Sequence, residues 1–295
     1  MSMSEAELWD YIHNELEKTR GLFVPIKASG FERRFVKSLP CSSLHPNPDD
    51  EFCMESVGPS FRIIGEYEKR FRHDLELEIN PFDEPLIVEK MRPNGYLLLN
   101  GHHRWAAAMN VGMKKVPVSI VNLTQEADIR RMLENSDRCR RATFDLDEVV
   151  FTDPAMPCEP FRRSLFTGRF KERLRPGIPA LFHFFHTLDY DVWVFSSAYY
   201  SMEYIRKLLL LYSVHIDGLI TGTARKTADA AAKKASIEGL IAKKYSETVN
   251  IDTHQVVRVL KDTKEFEQYE LPQSYDTWST SVMSAVKSFD RHEKH

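Results

Sequence analysis

Apolar and polar positions change rhythm along the chain. Residues 4–20 repeat apolar side chains at helical spacing and stop at Gly21, a natural residue to follow a helix C-terminus. The segment 61–78 carries a helical pattern in part, 85–91 (PLIVEKM) predicts a strand, 94–96 (NGY) a turn and 97–99 a second strand. An alanine-rich helix over 102–112 then ends at Gly112, a strand follows at 116–123, and 125–139 predicts a polar helix. Beyond it the rhythm is a regular alternation. Strands at 142–147, 190–197, 216–221 and 247–252 are separated by helices at 176–188, 199–212 and about 226–244. Strands spaced by helices of this length predict a doubly wound parallel sheet. The tail, 277–291, places Trp278, Val282, Ala285, Val286 and Phe289 on one helical face, a stripe suited to docking. The expected division is a mixed α+β domain at 1–139, an α/β domain at 140–272 and a C-terminal amphipathic helix at 273–295.

Composition narrows the class. The 295 residues are 42% hydrophobic and 28% charged, with a formal net charge of −3. These are ordinary values for a globular protein, and they carry no global electrostatic signature of nucleic-acid binding. No apolar run approaches the ~18 residues of a membrane span. The N-terminus has early acidic residues and no apolar core of a signal peptide, so no membrane partner is expected. The four cysteines, Cys41, Cys53, Cys139 and Cys158, are dispersed without a CxxC pair. Neither a disulfide framework nor a zinc site is expected from them, and a cytoplasmic location is.

Chemistry concentrates where the predicted parallel strands end, because open sheets bind ligands at their carboxyl edge. The first such strand runs into ATFDLDEVVF, which sets Asp145 and Asp147 two residues apart. Ser196 ends the second strand and Asp252 the last. Carboxylates, a hydroxyl and a lysine at one edge can hold Mg²⁺, bind phosphoryl oxygens and transfer protons. A carboxylate can also attack phosphorus.

TFDLDEVVF, LRPGIPALFHFF (174–185) and YDVWVFSSA (190–198) together resemble the haloacid dehalogenase superfamily of phosphohydrolases. The D-L-D-E form is closest to the branch containing protein phosphatases that act on polymerase tails. The resemblance covers roughly 140–260. It implies a Rossmannoid domain without a large cap, an aspartyl-phosphate mechanism and Mg²⁺ as cofactor. Asp145 would be the nucleophile, Asp147 the general acid/base, Ser196 the phosphate-binding hydroxyl, and Lys234 the cationic partner. Asp145, Asp147 and Asp252 would serve the metal. Lys226 and Lys233 compete with Lys234, and Thr253 stands where a second acid is usual.

The first block has its own candidate site. GYLLLNGHHRWAAAMNVGMKKVPVSIV (95–121) is strand, tight turn, helix, turn, strand. Gly101 permits close backbone approach, the helix start offers free N–H groups to an anion, and His102, His103 and Arg104 add side-chain donors. This stretch resembles the ParB/sulfiredoxin superfamily, whose members bind nucleoside di- or triphosphates at that turn. The resemblance implies ATP, ADP or CTP as ligand at Gly101, His102, His103 and Arg104. Sulfinic acid reduction needs a cysteine where His102 stands. The DNA clamps of the superfamily continue into a helix-turn-helix domain, which this chain replaces with the phosphatase-like block. DNA is therefore not expected as a partner.

The expectation is an enzyme: a Mg²⁺-dependent phosphohydrolase with an appended nucleotide-binding domain. Its substrate would be a phosphorylated small molecule or an exposed phosphoprotein site. Two alternatives stay open: a nucleotide-dependent small-molecule kinase opposed or regulated by the second block, and a catalytically silent nucleotide sensor.

Overall fold

The computed structural model describes residues 3–19, 24–162, 167–222, 237–261 and 266–292. Contacts divide the chain into two compact units, one of Met1–Asn122 and one that begins at Leu123. The boundary thus precedes the predicted one at 139/140. The reason is the helix Glu126–Glu134, whose Ile129 and Met132 are buried in the core of the second unit. The tail helix belongs to that core as well. Trp278, Val282, Ala285, Val286 and Phe289 are all buried in it. Gly177 (φ +83°) permits the close approach of this helix: a Cβ there would lie 2.2 Å from Ser279 Oγ.

In the first unit, six strands form a mixed sheet. Its spine is Ser38–Pro40, Lys115–Val121, Leu86–Arg92, Tyr96–Asn100 and Leu44–Pro46, with Val24–Pro25 paired to Leu86–Arg92. Leu86–Arg92 runs antiparallel to Tyr96–Asn100 and parallel to Lys115–Val121. The segment 61–78, helical only in part on sequence, is a helix over Phe61–Glu76 capped by Ser60, whose side chain accepts from Ile63 N. Trp105 is core: it is fully buried, and its Nε1 donates to the Cys41 carbonyl at 3.3 Å.

The second unit holds a six-stranded sheet in the order Gly218–Thr221, Tyr190–Ser196, Arg140–Asp145, Glu247–Ile251, Gln255–Leu260, Phe266–Glu270. The first four strands are mutually parallel. The last two are antiparallel additions, so the sheet is mixed and not the purely parallel one the alternation predicts. These edge strands escaped the sequence reading because a turn at Asp252–His254 joins Glu247–Ile251 to Gln255–Leu260 with no intervening helix. Val192, Val194, Phe144, Ala142 and Val249 fill the centre with almost no exposed surface, as strands covered on both faces require. Among the described residues no helix is long and apolar enough to cross a membrane.

Candidate functional sites

Register brings the acidic strand ends of the second unit side by side. Phe195 pairs with Asp145, and Ile251 pairs with Phe144, so Ser196, Asp145 and Asp252 leave three adjacent parallel strands at the same edge. The chain turns sharply after Asp145. Leu146–Val150 forms a single π-helical turn capped by Asp145, whose Oδ1 accepts from Asp147 N at 2.7 Å and from Glu148 N at 2.9 Å. Leu146, Val149 and Val150 are buried beneath the turn. The apolar residues interleaved with the carboxylates are therefore what holds Asp145 and Asp147 at the surface.

Ser196 and Asp252 have definite places beside the Asp145–Asp147 turn. Ser196 is fully buried, and its Oγ donates to Asp147 Oδ2 at 2.5 Å while accepting from Ala198 N at 3.0 Å. Its proton therefore goes to Asp147, and it must be redirected before Ser196 can donate to a phosphoryl oxygen. Asp252 Oδ1 accepts from His254 N at 3.0 Å and from Thr253 Oγ1 at 3.3 Å. Thr253 thus supports the carboxylate beside it. Asp145 and Asp252 each keep Oδ2 without a hydrogen bond from a described residue. Such carboxylate oxygens on neighbouring strand ends suit a hard divalent cation. No set of three acidic side chains closes within 4.8 Å at this edge among the described residues. The arrangement fits two carboxylates and a main-chain carbonyl, with water and substrate as the other ligands. Lys234, like Lys226 and Lys233, lies outside the described residues.

An open cleft of about 530 Å³ adjoins Asp147 and Glu148. Lys171, Arg175 and Tyr200 line it. Arg175 stacks over the rings of Trp278 (4.8 Å) and Tyr275 (5.5 Å), and its Nη2 donates to the Glu148 carbonyl at 3.2 Å. Its buried Nε has no hydrogen-bond partner. Burial lowers its pKa. Tyr200 is held well above the ordinary phenol range, chiefly by burial and then by the negative charge of Asp147. The only sequence signal for Arg175 was the RPG stretch; Lys171 carried none.

In the first unit, Gly101 takes φ +98° and caps the helix His102–Asn110. The left-handed turn is tight: a Cβ at Gly101 would lie 2.5 Å from Leu86 Cδ2. The side chains are less available than the sequence suggested. His102 is buried, and its Nε2 accepts from Asn47 N at 3.2 Å. His103 Nε2 accepts from Ser60 N at 3.1 Å. Arg104 donates to the Glu84 carbonyl at 2.7 Å and to Asn100 Oδ1 at 3.3 Å. What the turn offers outward is main chain, the first N–H groups of a helix. His102 itself is driven down to a pKa of about 4, mainly by burial, with the Asp50 carboxylate opposing that shift.

Residues 75–136 match the ParB N-terminal domain. That span contains the whole Gly101–Arg104 turn. Two solved structures are also similar to the chain. One is the C-terminally truncated chromosome-partitioning protein ParB from Caulobacter crescentus complexed to the centromeric parS site, at 22% identity over 34% of this chain and 46% of that one, with a TM-score of 0.22. The other is the same kind of ParB complexed with CTP-gamma-S, at 22% identity over 35% and 53%, with a TM-score of 0.24. The chain spans about half the length of these structures. No curated protein matches. The expectation that DNA is not a partner does not stand, since one of these similar structures is complexed to the parS site. The family match ends at residue 136.

Proposed function

We propose that the second unit is a Mg²⁺-dependent phosphohydrolase and that the ParB-like first unit binds a nucleotide. The observation that carries the enzymatic reading is the convergence of Asp145, Ser196 and Asp252 on three adjacent parallel strand ends. Asp145 Oδ1 is fixed by two main-chain N–H groups, so the carboxylate is oriented before substrate arrives. Asp145 attacks phosphorus and the ester oxygen leaves, taking a proton from Asp147. Asp147 then removes a proton from the water that hydrolyses the aspartyl-phosphate and regenerates both carboxyl groups. Asp145, Asp252 and the Asp147 carbonyl would hold Mg²⁺, whose chemistry is to offset charge on the phosphoryl group. Ser196 turns from Asp147 to a phosphoryl oxygen, and Lys171 supplies positive charge at the cleft.

For the first unit, the ParB N-terminal match and the positive-φ Gly101 support phosphate binding on main-chain N–H groups. CTP is the first nucleotide to test, since a similar ParB is complexed with its thio-analogue. DNA belongs in the same binding experiments, since another is complexed with parS. A silent nucleotide-sensing role is the second reading, favoured by the engagement of Arg104 with Asn100 and Glu84.

The test is hydrolysis of p-nitrophenyl phosphate and of a panel of phosphometabolites and phosphopeptides with Mg²⁺, with and without CTP, ATP or ADP. Asp145→Asn is expected to abolish turnover. Turnover in that variant equal to the parent's would overturn the assignment. Binding of nucleotide with no hydrolysis of any ester would favour the sensor.

A further inference from the structure

The opposite edge of the second unit's sheet carries a separate cluster. His186 sits in the last turn of the helix Ile178–Thr187. Asp217 immediately precedes the strand Gly218–Thr221, and His215 lies two residues earlier. Both strands concerned, Tyr190–Ser196 and Gly218–Thr221, begin here and run in parallel toward the edge that carries Ser196. The cluster and the acidic strand ends therefore lie at opposite ends of the same strands.

The ligating atoms of His186, His215 and Asp217 all lie within 4.8 Å of one another, and this is the only such group of three among the described residues. His186 Nε2 is 2.7 Å from Asp217 Oδ2, and His215 Nε2 is 3.5 Å from Asp217 Oδ1. Two further contacts orient the carboxylate. Val192 N donates to Oδ2 at 2.7 Å, and Arg138 Nη1 approaches Oδ1 at 3.4 Å. The guanidinium does not neutralise the neighbourhood, because it also pairs with Asp189 and Asp191. Three carboxylates surround one guanidinium, which leaves the locality negative. The C-terminal end of the helix bearing His186 adds a negative dipole end. His186 and Asp217 are mostly buried, whereas the His215 side chain is 77% exposed and open to solvent.

We propose that His186, His215 and Asp217 form a transition-metal site, with Zn²⁺ its preferred occupant. Two imidazole nitrogens and one carboxylate favour a borderline cation over Mg²⁺, which selects oxygen ligands. Three protein ligands leave a fourth position for water, and His215 closes onto the ion from solvent. The Val192 N–H and Arg138 hold the Asp217 carboxylate in place, as partners behind metal ligands do. Binding replaces the hydrogen bond between His186 and Asp217 with two bonds to the metal; a neutral ring carries its proton on Nδ1 once Nε2 ligates, and an imidazolium releases one proton. Arg140, the next cation along the chain, is paired with Glu247 and does not compete.

The test is titration of the full chain with Zn²⁺ alone, by calorimetry, against the variants His215→Ala and His186→Ala/His215→Ala. Co²⁺ substitution gives an independent optical readout. The expected result is one equivalent of Zn²⁺ in the parent, weakened by about tenfold or more in His215→Ala and lost in the double variant. The Co²⁺ form should show visible absorption that the double variant lacks. His215 is exposed, so its replacement leaves packing intact, and circular dichroism verifies the fold. Uptake unchanged in the double variant, or no uptake by the parent at submillimolar Zn²⁺, would sink the proposal and leave a surface ion-pair cluster. Asp252→Asn is expected to keep its Zn²⁺ equivalent, which separates this site from the magnesium edge.

Discussion

Ser196 Oγ and Asp147 Oδ2 are 2.5 Å apart, joined by a hydrogen bond in which the serine donates. Two residues to which the family resemblance gives separate tasks, phosphate binding and proton transfer, are thus tied to each other. The bond fixes the Asp147 carboxylate over the strand edge and keeps the hydroxyl aimed at the site. On the proposed phosphohydrolase reading, Ser196→Ala removes a donor at a developing phosphoryl charge. It is expected to lower kcat/KM for a phosphate ester by about 10²-fold. Steady-state kinetics beside Asp145→Asn measures this. A Ser196→Ala enzyme with the parent's kcat/KM would show that the hydroxyl serves only the fold.

Lys171 stands at the cleft with an exposed side chain, and nothing in the sequence distinguished it from other surface lysines. Its contribution is electrostatic and solvent-screened. An exposed ionic contact is worth about 1 kcal/mol or less, so Lys171→Ala should raise KM for a dianionic substrate by about fivefold at most. The chemical step should be untouched, leaving kcat unchanged. Raising the salt concentration should erase the difference between the two enzymes. A fall in kcat at unchanged KM would instead place Lys171 among the groups that meet the transition state.

Gly101 joins a nucleotide-site expectation to a folding constraint. Its φ of +98° is left-handed, and a Cβ would lie 2.5 Å from Leu86 Cδ2 and 3.0 Å from Arg104 Nη2. An alanine in this region costs roughly 1–2 kcal/mol in backbone strain alone, and the Leu86 contact adds to it. Gly101→Ala is therefore expected to lower the urea midpoint of the first unit. It should also weaken CTP binding, because the strain falls on the turn that presents the helix N–H groups. Gly112→Ala is the control: φ is +80° there, but no atom lies within 4 Å of the added Cβ. It should cost stability and leave nucleotide affinity unchanged.

Periodicity made the parallel core of the second unit legible. The strands Arg140–Asp145, Tyr190–Ser196, Gly218–Thr221 and Glu247–Ile251 are short strand-forming segments separated by helix-length stretches. The acidic strand ends followed from that order alone, since register places Asp145, Ser196 and Asp252 together. The edge strands did not show. Phe266–Glu270 is exposed at every position and has no buried face to impose an alternation. The domain boundary was hidden for a related reason. The helix Glu126–Glu134 is mostly polar in sequence, and only the burial of Ile129 and Met132 reveals which core it joins. GHHR reads as a row of donors, whereas folding turns both imidazole Nε2 atoms into acceptors of main-chain N–H groups, which no local pattern encodes. Arg175 and Lys171 reach the cleft through tertiary packing that no local pattern encodes.

Burial of His102 makes the stability of the first unit depend on pH. Its Nε2 accepts from Asn47 N, which requires the neutral ring, and burial drives its pKa from 6.5 to about 4. In the unfolded chain the same side chain titrates near 6.5. Between the two values the unfolded state binds a proton that the folded state refuses, so stability rises with pH across that window. The contribution is fully present above about pH 6.5 and is lost as pH falls toward 4. Urea unfolding of the first unit at pH 7.5 and again near pH 5 should show a lower midpoint in acid, before the buried carboxylates Glu15 and Glu247, both held below the ordinary range, begin to titrate. His102→Gln keeps an acceptor for the Asn47 N–H but takes up no proton. It should lower stability at neutral pH through imperfect packing and flatten the slope between pH 6.5 and 4.5. A His102→Gln protein with the parent's full pH slope would assign the effect to another histidine, His103 being the nearest, whose pKa is also lowered by burial.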